Sequence, residues 1–120
     1  MPFLPSERER TACADIIANA ERAARFVEGF TLETFGVDER THFAVVRCLE
    51  IVSEASRRLR AETKARYPDV PWRQIADAGN VYRHSYHRVT LDIVWLTVHH
   101  ELPVLVAACR AELDRAAPDP

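Results

Sequence analysis

The segment 79–88 concentrates side chains that can act on a phosphate ester, with the sequence Gly-Asn-Val-Tyr-Arg-His-Ser-Tyr-His-Arg. In a helix, Asn80, His84 and His87 share one face because they are four and three residues apart, and Arg83 lies beside them. A neutral imidazole can remove a proton from an RNA 2′-hydroxyl, and an imidazolium can protonate the leaving 5′-oxygen. A guanidinium can stabilise the charged phosphorane between the two steps. This chemistry requires neither a metal ion nor another cofactor.

Further side chains of this region are candidates for contacts with a nucleic acid. An arginine contacts phosphate or remains a solvated surface charge, and a tyrosine stacks on a base or packs in the core or at its rim. The sequence leaves these alternatives open, as it does between a catalytic and a merely hydrogen-bonded role for His84. The predicted RNA-contacting residues are Arg73, Tyr82, His87 and Arg88.

Metal ligation is not predicted. His99 and His100 are adjacent, which on a helix separates their imidazoles by about 100°. The sequence His-Glu-x-x-His is absent. The three cysteines, Cys13, Cys48 and Cys109, each fall in an apolar helical context, which favours buried thiols in a reducing, intracellular protein.

The charge of the chain excludes a general polycation. Its 120 residues include 16 Lys and Arg and 18 Asp and Glu, for a formal net charge of −2. Any affinity for nucleic acid must therefore come from a local patch. The densest basic run contains Arg57, Arg58, Arg60, Lys64 and Arg66. It either complements the carboxyl end of a helix or faces phosphate, whereas Glu112 and Asp114 are expected to be solvated charges.

The elements that must position these residues are all predicted to be helices. Hydrophobic residues make up 48% of the chain and there are three glycines, which favours one domain over residues 1–120 with an ordered core of about 6–115. The pattern predicts an all-α, up-and-down bundle of four to five helices. No apolar run of 18 residues and no signal peptide are predicted, which indicates a soluble, cytoplasmic protein.

Local signals predict the helix boundaries. Ser6 and Glu9 form a capping box for a first helix that ends at Gly29. Asp38 caps a long second helix that runs to Arg66, and a third begins after Pro71 and ends near residue 86 or 87. Thr90 caps the fourth helix. Proline cannot continue a helix without losing a hydrogen bond, so a kink or restart is expected at 102–103.

The chain resembles the HepT-like branch of the HEPN domains from about Arg8 to Leu113. The resemblance follows the predicted order of helices and rests on motifs in their turns. In chain order the segments are Arg47-Cys-Leu-Glu-Ile-Val-Ser-Glu-Ala-Ser56, Tyr67-Pro-Asp-Val-Pro-Trp-Arg-Gln-Ile75, Asn80 ahead of His84-Ser-Tyr86, Val89-Thr-Leu-Asp-Ile-Val-Trp95 and Leu102-Pro103.

This resemblance implies a homodimeric, metal-independent endoribonuclease that is the toxin of a bacterial toxin–antitoxin pair. Its implied partner is a minimal nucleotidyltransferase antitoxin of the MntA class. The family signature is Arg, four residues, His, one residue, Tyr. His84 and Tyr86 match its last two positions, and the resemblance makes Tyr86 an acceptor of AMP. Asn80 matches the polar residue that commonly follows the Arg.

The first position of the signature is Gly79 here instead of arginine. Loss of a phosphate-stabilising cation costs several kcal/mol of transition-state stabilisation, although Arg83 is a possible substitute. Glycine inside a helix also indicates close packing or a bend. Two functions follow: an active nuclease that uses His84, Arg83 and Asn80, or a degenerate HEPN module that binds RNA or a nucleotidyltransferase without cleavage. Gly79→Arg is expected to distinguish them by restoring cleavage.

Overall fold

The computed structural model describes residues 5–84 and 91–115, and for Arg83 and His84 it describes the backbone only. Within these ranges the chain is helical and contains no strand, which confirms the all-α prediction. The elements are α1 (Glu7–Phe26), α2 (Leu32–Val37), α3 (Glu39–Ser56), α4 (Ala61–Ala65), α5 (Trp72–His84), α6 (Leu91–Leu96), a π-helical turn (Thr97–Glu101) and α7 (Leu102–Arg115). Helix α1 packs between α3 and α7, and α5 packs on α3.

The first helix begins as its sequence predicts and ends at Phe26, three residues before the predicted end at Gly29. The Ser6 hydroxyl accepts a hydrogen bond from the Glu9 amide at 3.2 Å, and the Glu9 carboxylate accepts one from the Ser6 amide at 3.4 Å. Gly29 follows the helix with φ +80°, the left-handed conformation that favours glycine. Between these ends, small and aliphatic side chains at three- and four-residue spacing enter the core: Ala12, Cys13, Ile16, Ala20, Ala23 and Val27.

The predicted second helix is two helices. Asp38 caps α3 as expected, accepting from the Thr41 amide at 2.9 Å. The helix ends at Ser56, however, and α4 begins only at Ala61. The prediction of one helix to Arg66 was therefore wrong, because it considered only local periodicity and no contact from elsewhere in the chain.

The break between α3 and α4 coincides with a buried carboxylate from α1. Arg60 has an extended backbone (φ −76°, ψ 159°), and its amide donates to Glu9 Oε2 at 2.9 Å. Its guanidinium Nε also donates to Glu9 Oε1 at 2.7 Å, and the Thr63 hydroxyl donates to Oε2 at 2.6 Å. Glu9 is 1% exposed. The Glu9 carboxylate, 51 residues away, thus accepts the amide hydrogen bond at the start of α4, which has no side-chain cap of its own.

A second buried carboxylate, that of Glu112, binds the residues that follow α4. Glu112, predicted to be a solvated charge, is 1% exposed, so that prediction was wrong. It accepts from Arg66 Nη2 at 2.6 Å and from the Tyr67 hydroxyl at 2.9 Å. Burial, together with the hydrogen bond to Glu112, raises the pKa of Tyr67 to about 12. The charge of Glu112 is tolerated because it is paired and hydrogen-bonded.

Most cations of the basic run 57–66 are paired with groups of the same chain. Arg58 pairs with Asp15 at 2.9 Å, Arg60 with Glu9 and Arg66 with Glu112. Arg57 donates to the carbonyl of Ala76 at 2.6 Å. Neither alternative drawn from the sequence describes this run, because its charges mainly hold helices together.

The irregularity expected at Pro103 is present one turn earlier. The Leu102 amide donates to the carbonyl of Thr97, five residues back, which is the hydrogen bond of a π-helical turn. Through this turn, α6 and α7 form one helical segment, Leu91–Arg115, that by length and composition could cross a membrane. The expectation of no apolar run of 18 residues still holds, because Glu101 interrupts the apolar residues of this segment. Helices of a soluble bundle also meet the criterion of length and composition, and Val94, Leu102 and Leu105 are buried against the rest of the chain.

Glu9→Gln is expected to lower the free energy of unfolding by about 2–3 kcal/mol at pH 7. Burial alone would raise the pKa of Glu9, but hydrogen bonds from Arg60, Thr63 and Ser6 lower it to about 2 from 4.5. Because the folded pKa is the lower one, this stabilisation is complete above about pH 4.5 and is lost as the pH falls towards 2. Urea unfolding of both proteins from pH 7 to pH 2.5 measures it.

The matched control is Glu7→Gln, an exposed carboxylate in the same first turn. We expect a change below about 0.5 kcal/mol for this control. An equal loss in both variants, or a loss for Glu9→Gln that does not shrink at low pH, would contradict the role of the Glu9 charge.

Candidate functional site

Helix α5 carries the predicted catalytic residues and is anchored at its start by Trp72. The Trp72 indole Nε1 lies 3.1 Å from the carbonyls of both Lys64 and Tyr67 and donates to them. Further along the helix, Ile75 is 6% and Tyr82 is 5% exposed. The apolar face of α5 thus packs on α3, and the start of the helix is held by α4 and the segment that follows it.

Gly79 lies at the closest approach of α5 to α3. Its amide donates to Ser53 Oγ at 3.1 Å, and this hydroxyl donates to the carbonyl of Ala76 at 3.0 Å. A Cβ atom on Gly79 would lie 2.5 Å from Ser53 Oγ and 3.1 Å from Ser53 Cβ. The close packing predicted from glycine is confirmed. Position 79 therefore faces α3, and an arginine there would need the two helices to separate.

The opposite face of α5 is open to solvent. Arg73 and Asp77 are exposed, with 4.0 Å between Arg73 Nε and Asp77 Oδ2, and Asn80 is exposed one turn later. The α-helix continues to His84. Positions 73, 77, 80 and 84 follow four-, three- and four-residue steps, so they share one stripe of the helix. The predicted spacing of Asn80 and His84 on one helix face is confirmed by the backbone.

Several predicted site residues lie outside the described part of the chain. The side chains of Arg83 and His84 are not described, and Tyr86, His87 and Arg88 fall in the range 85–90. The predicted cap Thr90 falls there as well. Their roles remain predictions.

Tyr82 belongs to the core and not to an RNA-contacting surface. The hydroxyl of Tyr82 is hydrogen-bonded by Thr97 of the π-helical turn, with Glu101 nearby, and burial is the main cause that raises its pKa to about 12. Its ring is 5% exposed, so it offers no face to a base in this structure. The prediction that Tyr82 contacts RNA is corrected on this ground. Its contact with Thr97 instead brings the C-terminal end of α5 against the π-helical turn.

Two residues that position α5 were missed as such by sequence reasoning. Ser53 entered the sequence analysis only as part of the segment Arg47–Ser56, yet its hydroxyl bridges α3 to Gly79 and Ala76. A serine among aliphatic residues on a buried face is the available signal, because a buried hydroxyl requires a partner. Thr97 carried no such signal: its side chain bonds both the Ile93 carbonyl at 2.8 Å and Tyr82.

The described residues include no group of three His, Cys, Asp or Glu side chains that could hold a metal ion. His99 Nδ1 donates to the Trp95 carbonyl at 2.8 Å, and its ring centroid lies 4.2 Å from that of Trp95. The three cysteines are buried, as predicted. Burial also raises the pKa of the Cys48 thiol, which disfavours a reactive thiolate there.

Helix α6 carries an exposed apolar patch. Ile93 and Leu96 are 54% and 53% exposed, and they lie one turn apart on one face of the helix. Val81 on α5 is also 48% exposed. Aliphatic side chains this exposed are common singly, but a pair on one helix face forms a patch suited to a protein partner.

Comparison with known proteins now identifies the class of this bundle. The family model described as "Ribonuclease HepT-like" matches residues 16–112. The chain therefore belongs to the HepT-like ribonuclease family, and the resemblance stated from its sequence is confirmed.

Individual relatives agree with this assignment. The chain is 35% identical over 95 residues to a protein of Thermococcus cleftensis named "Probable ribonuclease HepT", covering 76% of this chain and 86% of the relative. It is 30% identical over 100 residues to a protein of Methanocaldococcus jannaschii named as a candidate RNase, covering 83% of each. No solved structure matches the chain significantly.

Gly79→Ala is expected to destabilise the protein although alanine normally stabilises a helix by about 1 kcal/mol relative to glycine. The added Cβ meets Ser53 at 2.5 Å, and overpacking of this kind costs about 1–3 kcal/mol. Gly79→Arg is expected to cost more, which overturns the expectation that arginine here simply restores a phosphate contact. Urea unfolding measures both changes.

A double-mutant cycle with Ser53→Ala provides the control. Removing Oγ eliminates the closest contact, so Gly79→Ala should cost less in the Ser53→Ala background than in the native chain. Stabilisation by Gly79→Ala in the native background would show that α5 has room at this position.

Proposed function

We propose that this HepT-like protein is a metal-independent endoribonuclease that serves as the cytoplasmic toxin of a toxin–antitoxin pair. His84 is the general acid–base, and Asn80 and Arg83 contact the scissile phosphate. The proposal rests chiefly on the register of α5, which carries position 84 one turn beyond the exposed Asn80 on the same stripe of the helix. Membership of a ribonuclease family supports RNA as the substrate of these residues.

The reaction in this proposal is an internal displacement on RNA. The 2′-hydroxyl loses its proton to one imidazole and attacks the adjacent phosphorus, while the bond from phosphorus to the 5′-oxygen breaks. A second, protonated imidazole gives its proton to that oxygen, leaving a 2′,3′-cyclic phosphate and a 5′-hydroxyl. Each chain carries one His84, so a two-fold dimer that joins two α5 ends supplies both groups.

The guanidinium of this site comes from Arg83 in our proposal. Gly79 has no space for a side chain against Ser53. Position 83 lies one turn further along α5, about 40° around the helix from position 79. Position 83 thus lies one helical turn beyond the contact of α5 with Ser53, and it directly precedes His84.

His84→Ala is expected to lower the RNA cleavage rate by at least about 10²-fold, because general acid–base catalysis contributes that much. The matched control is His100→Ala, an exposed histidine outside α5, which should cleave like the native protein. Cleavage of a labelled RNA by purified protein measures both, and addition of EDTA should leave the native rate unchanged. Equal activity of His84→Ala and native protein would exclude His84 as the acid–base.

A second function is a degenerate module that binds RNA or a nucleotidyltransferase without cleavage. Gly79 favours it, because the residue stands where the family signature has arginine and the packing on Ser53 leaves no room for one. Absence of cleavage by the native dimer, with RNA still bound, would support this second function.

The exposed apolar patch is the proposed dimer interface. Ile93→Glu is expected to convert the dimer into a monomer, because it would bury a charge against an apolar partner surface. Val37→Glu is the control, since Val37 is 87% exposed on α2. Sedimentation should give twice the 13.7 kDa chain mass for the native protein and the control. A native protein that sediments as a monomer at all concentrations would overturn the interface.

Control by a partner completes the proposal. An MntA-like nucleotidyltransferase antitoxin transfers AMP from ATP to the hydroxyl of Tyr86, two residues from His84. The bond from the tyrosine oxygen to the α-phosphorus forms as the α–β anhydride bond breaks, and pyrophosphate leaves. The added phosphate is anionic and bulky, so it repels the RNA backbone from the site by the same electrostatics as phosphorylation.

A further inference from the structure

Exposed cations gather on a surface that the sequence did not single out. The densest basic run is paired internally, with Arg58, Arg60 and Arg66 each bound to a carboxylate. In a chain of net charge −2, a surface that attracts polyanions must therefore be assembled from cations distant in sequence. The packing of α1 on α3 provides such an assembly.

Three arginines meet where α1 and α3 pack around Cys48. Arg22 and Arg25 belong to α1 and Arg47 to α3, and all three are exposed while Cys48 beneath them is 3% exposed. Arg22 and Arg25 are three residues apart on α1, and Arg47 directly precedes Cys48 on α3, so the packing of α1 on α3 places the three guanidiniums on one side of the molecule. In agreement with this placement, burial raises the pKa of the Cys48 thiol and the three guanidinium groups act against that rise.

Two exposed aromatic rings border these arginines. Phe26 follows Arg25 on α1 and is 39% exposed. Phe43 lies one helical turn before Arg47 on α3 and is 49% exposed. We call the set Arg22, Arg25, Phe26, Phe43 and Arg47 the α1–α3 patch.

Nearby acidic groups neutralise this patch only in part. Glu50 lies 3.8 Å from Arg47, which remains 69% exposed. Arg22 donates at 2.8 Å to the neutral amide oxygen of Asn19, and Glu21 pairs with Arg110. A net positive charge therefore remains beside the two rings.

The α1–α3 patch is separate from the site on α5. Helix α5 contacts α3 through Ser53, and position 47 is six residues earlier, about 120° around α3. An RNA strand on the patch would thus occupy a different face of α3 from the one that holds α5.

We propose that the α1–α3 patch is a second RNA-binding surface, which takes single-stranded RNA through phosphate contacts to the arginines and base stacking on Phe26 and Phe43. Alternation of cations with exposed rings is what single-stranded nucleic acid requires, because backbone charge and base faces occur together along it. An acidic polypeptide would use the charges but not the rings. The inference rests on the proposed function for its substrate class, but binding here is independent of cleavage.

Fluorescence anisotropy with a labelled, uncleavable 2′-O-methyl RNA of about 20 nucleotides measures the binding. Arg25→Glu/Arg47→Glu is expected to raise Kd at least 10-fold, and the slope of log Kd against log salt should fall by about 1.4 for two lost phosphate contacts. Phe43→Ala should raise Kd at least 5-fold with little change in that slope. Because the RNA cannot be cleaved, failure of the proposed catalysis does not affect this result.

The matched control is Arg8→Glu/Arg10→Glu, two exposed arginines at the other end of α1 with the same change in net charge. It should change Kd less than 3-fold, and circular dichroism should show all variants folded. An equal loss in both double variants would overturn the patch, as would an unchanged Kd for Arg25→Glu/Arg47→Glu. Displacement of the RNA by polyglutamate at equal charge concentration, with no effect of Phe43→Ala, would assign the surface to an acidic protein partner.

Discussion

The contact between Gly79 and Ser53 is the constraint on which the arrangement of α5 depends. The Ser53 hydroxyl accepts from the Gly79 amide and donates to the Ala76 carbonyl, three residues earlier on α5. These two bonds fix both the distance and the rotation of α5 against α3. Rotation matters most, because it decides which stripe of α5 enters the core. With Gly79 and Ile75 turned inward, the stripe of Arg73, Asp77 and Asn80 is left facing solvent. A residue without a side chain thereby orients those that have chemical roles.

A pair of buried carboxylates is the second determinant of the fold, because they bind arginines of the basic run 57–66. Glu9 and Glu112 come from opposite ends of the chain, and each holds an arginine of the connection between α3 and α5. Each buried charge is costly unless it is fully hydrogen-bonded, and both have multiple donors. Because both carboxylates need their donors at the same time, the two groups together restrict where α4 can lie. The density of cations in the sequence therefore indicates internal pairing here and not affinity for phosphate.

The sequence was sufficient for features that depend on neighbouring residues. The capping box of Ser6, the cap Asp38 and the left-handed Gly29 are local, and all three were predicted correctly. The break after α3 was not predictable, because the Arg60 amide at the start of α4 donates to a carboxylate 51 residues away. The burial of Glu112 was missed for the same reason, and the sequence left Tyr82 open between packing in the core and contacting RNA. Their partners, Arg66 and Thr97, become neighbours only in the folded chain.

The candidate site shows the same division between local register and distant packing. Helix periodicity alone placed Asn80 and His84 on one face, and the backbone confirms it. What periodicity could not show is that position 79 faces Ser53, so that the glycine there is a consequence of packing as well as a departure from the family signature. A close approach of two helices excludes a guanidinium from that turn. Position 83 is one turn further along the helix, and it is arginine. In the proposed site the cation therefore comes from position 83, because the packing on Ser53 leaves no room for one at position 79.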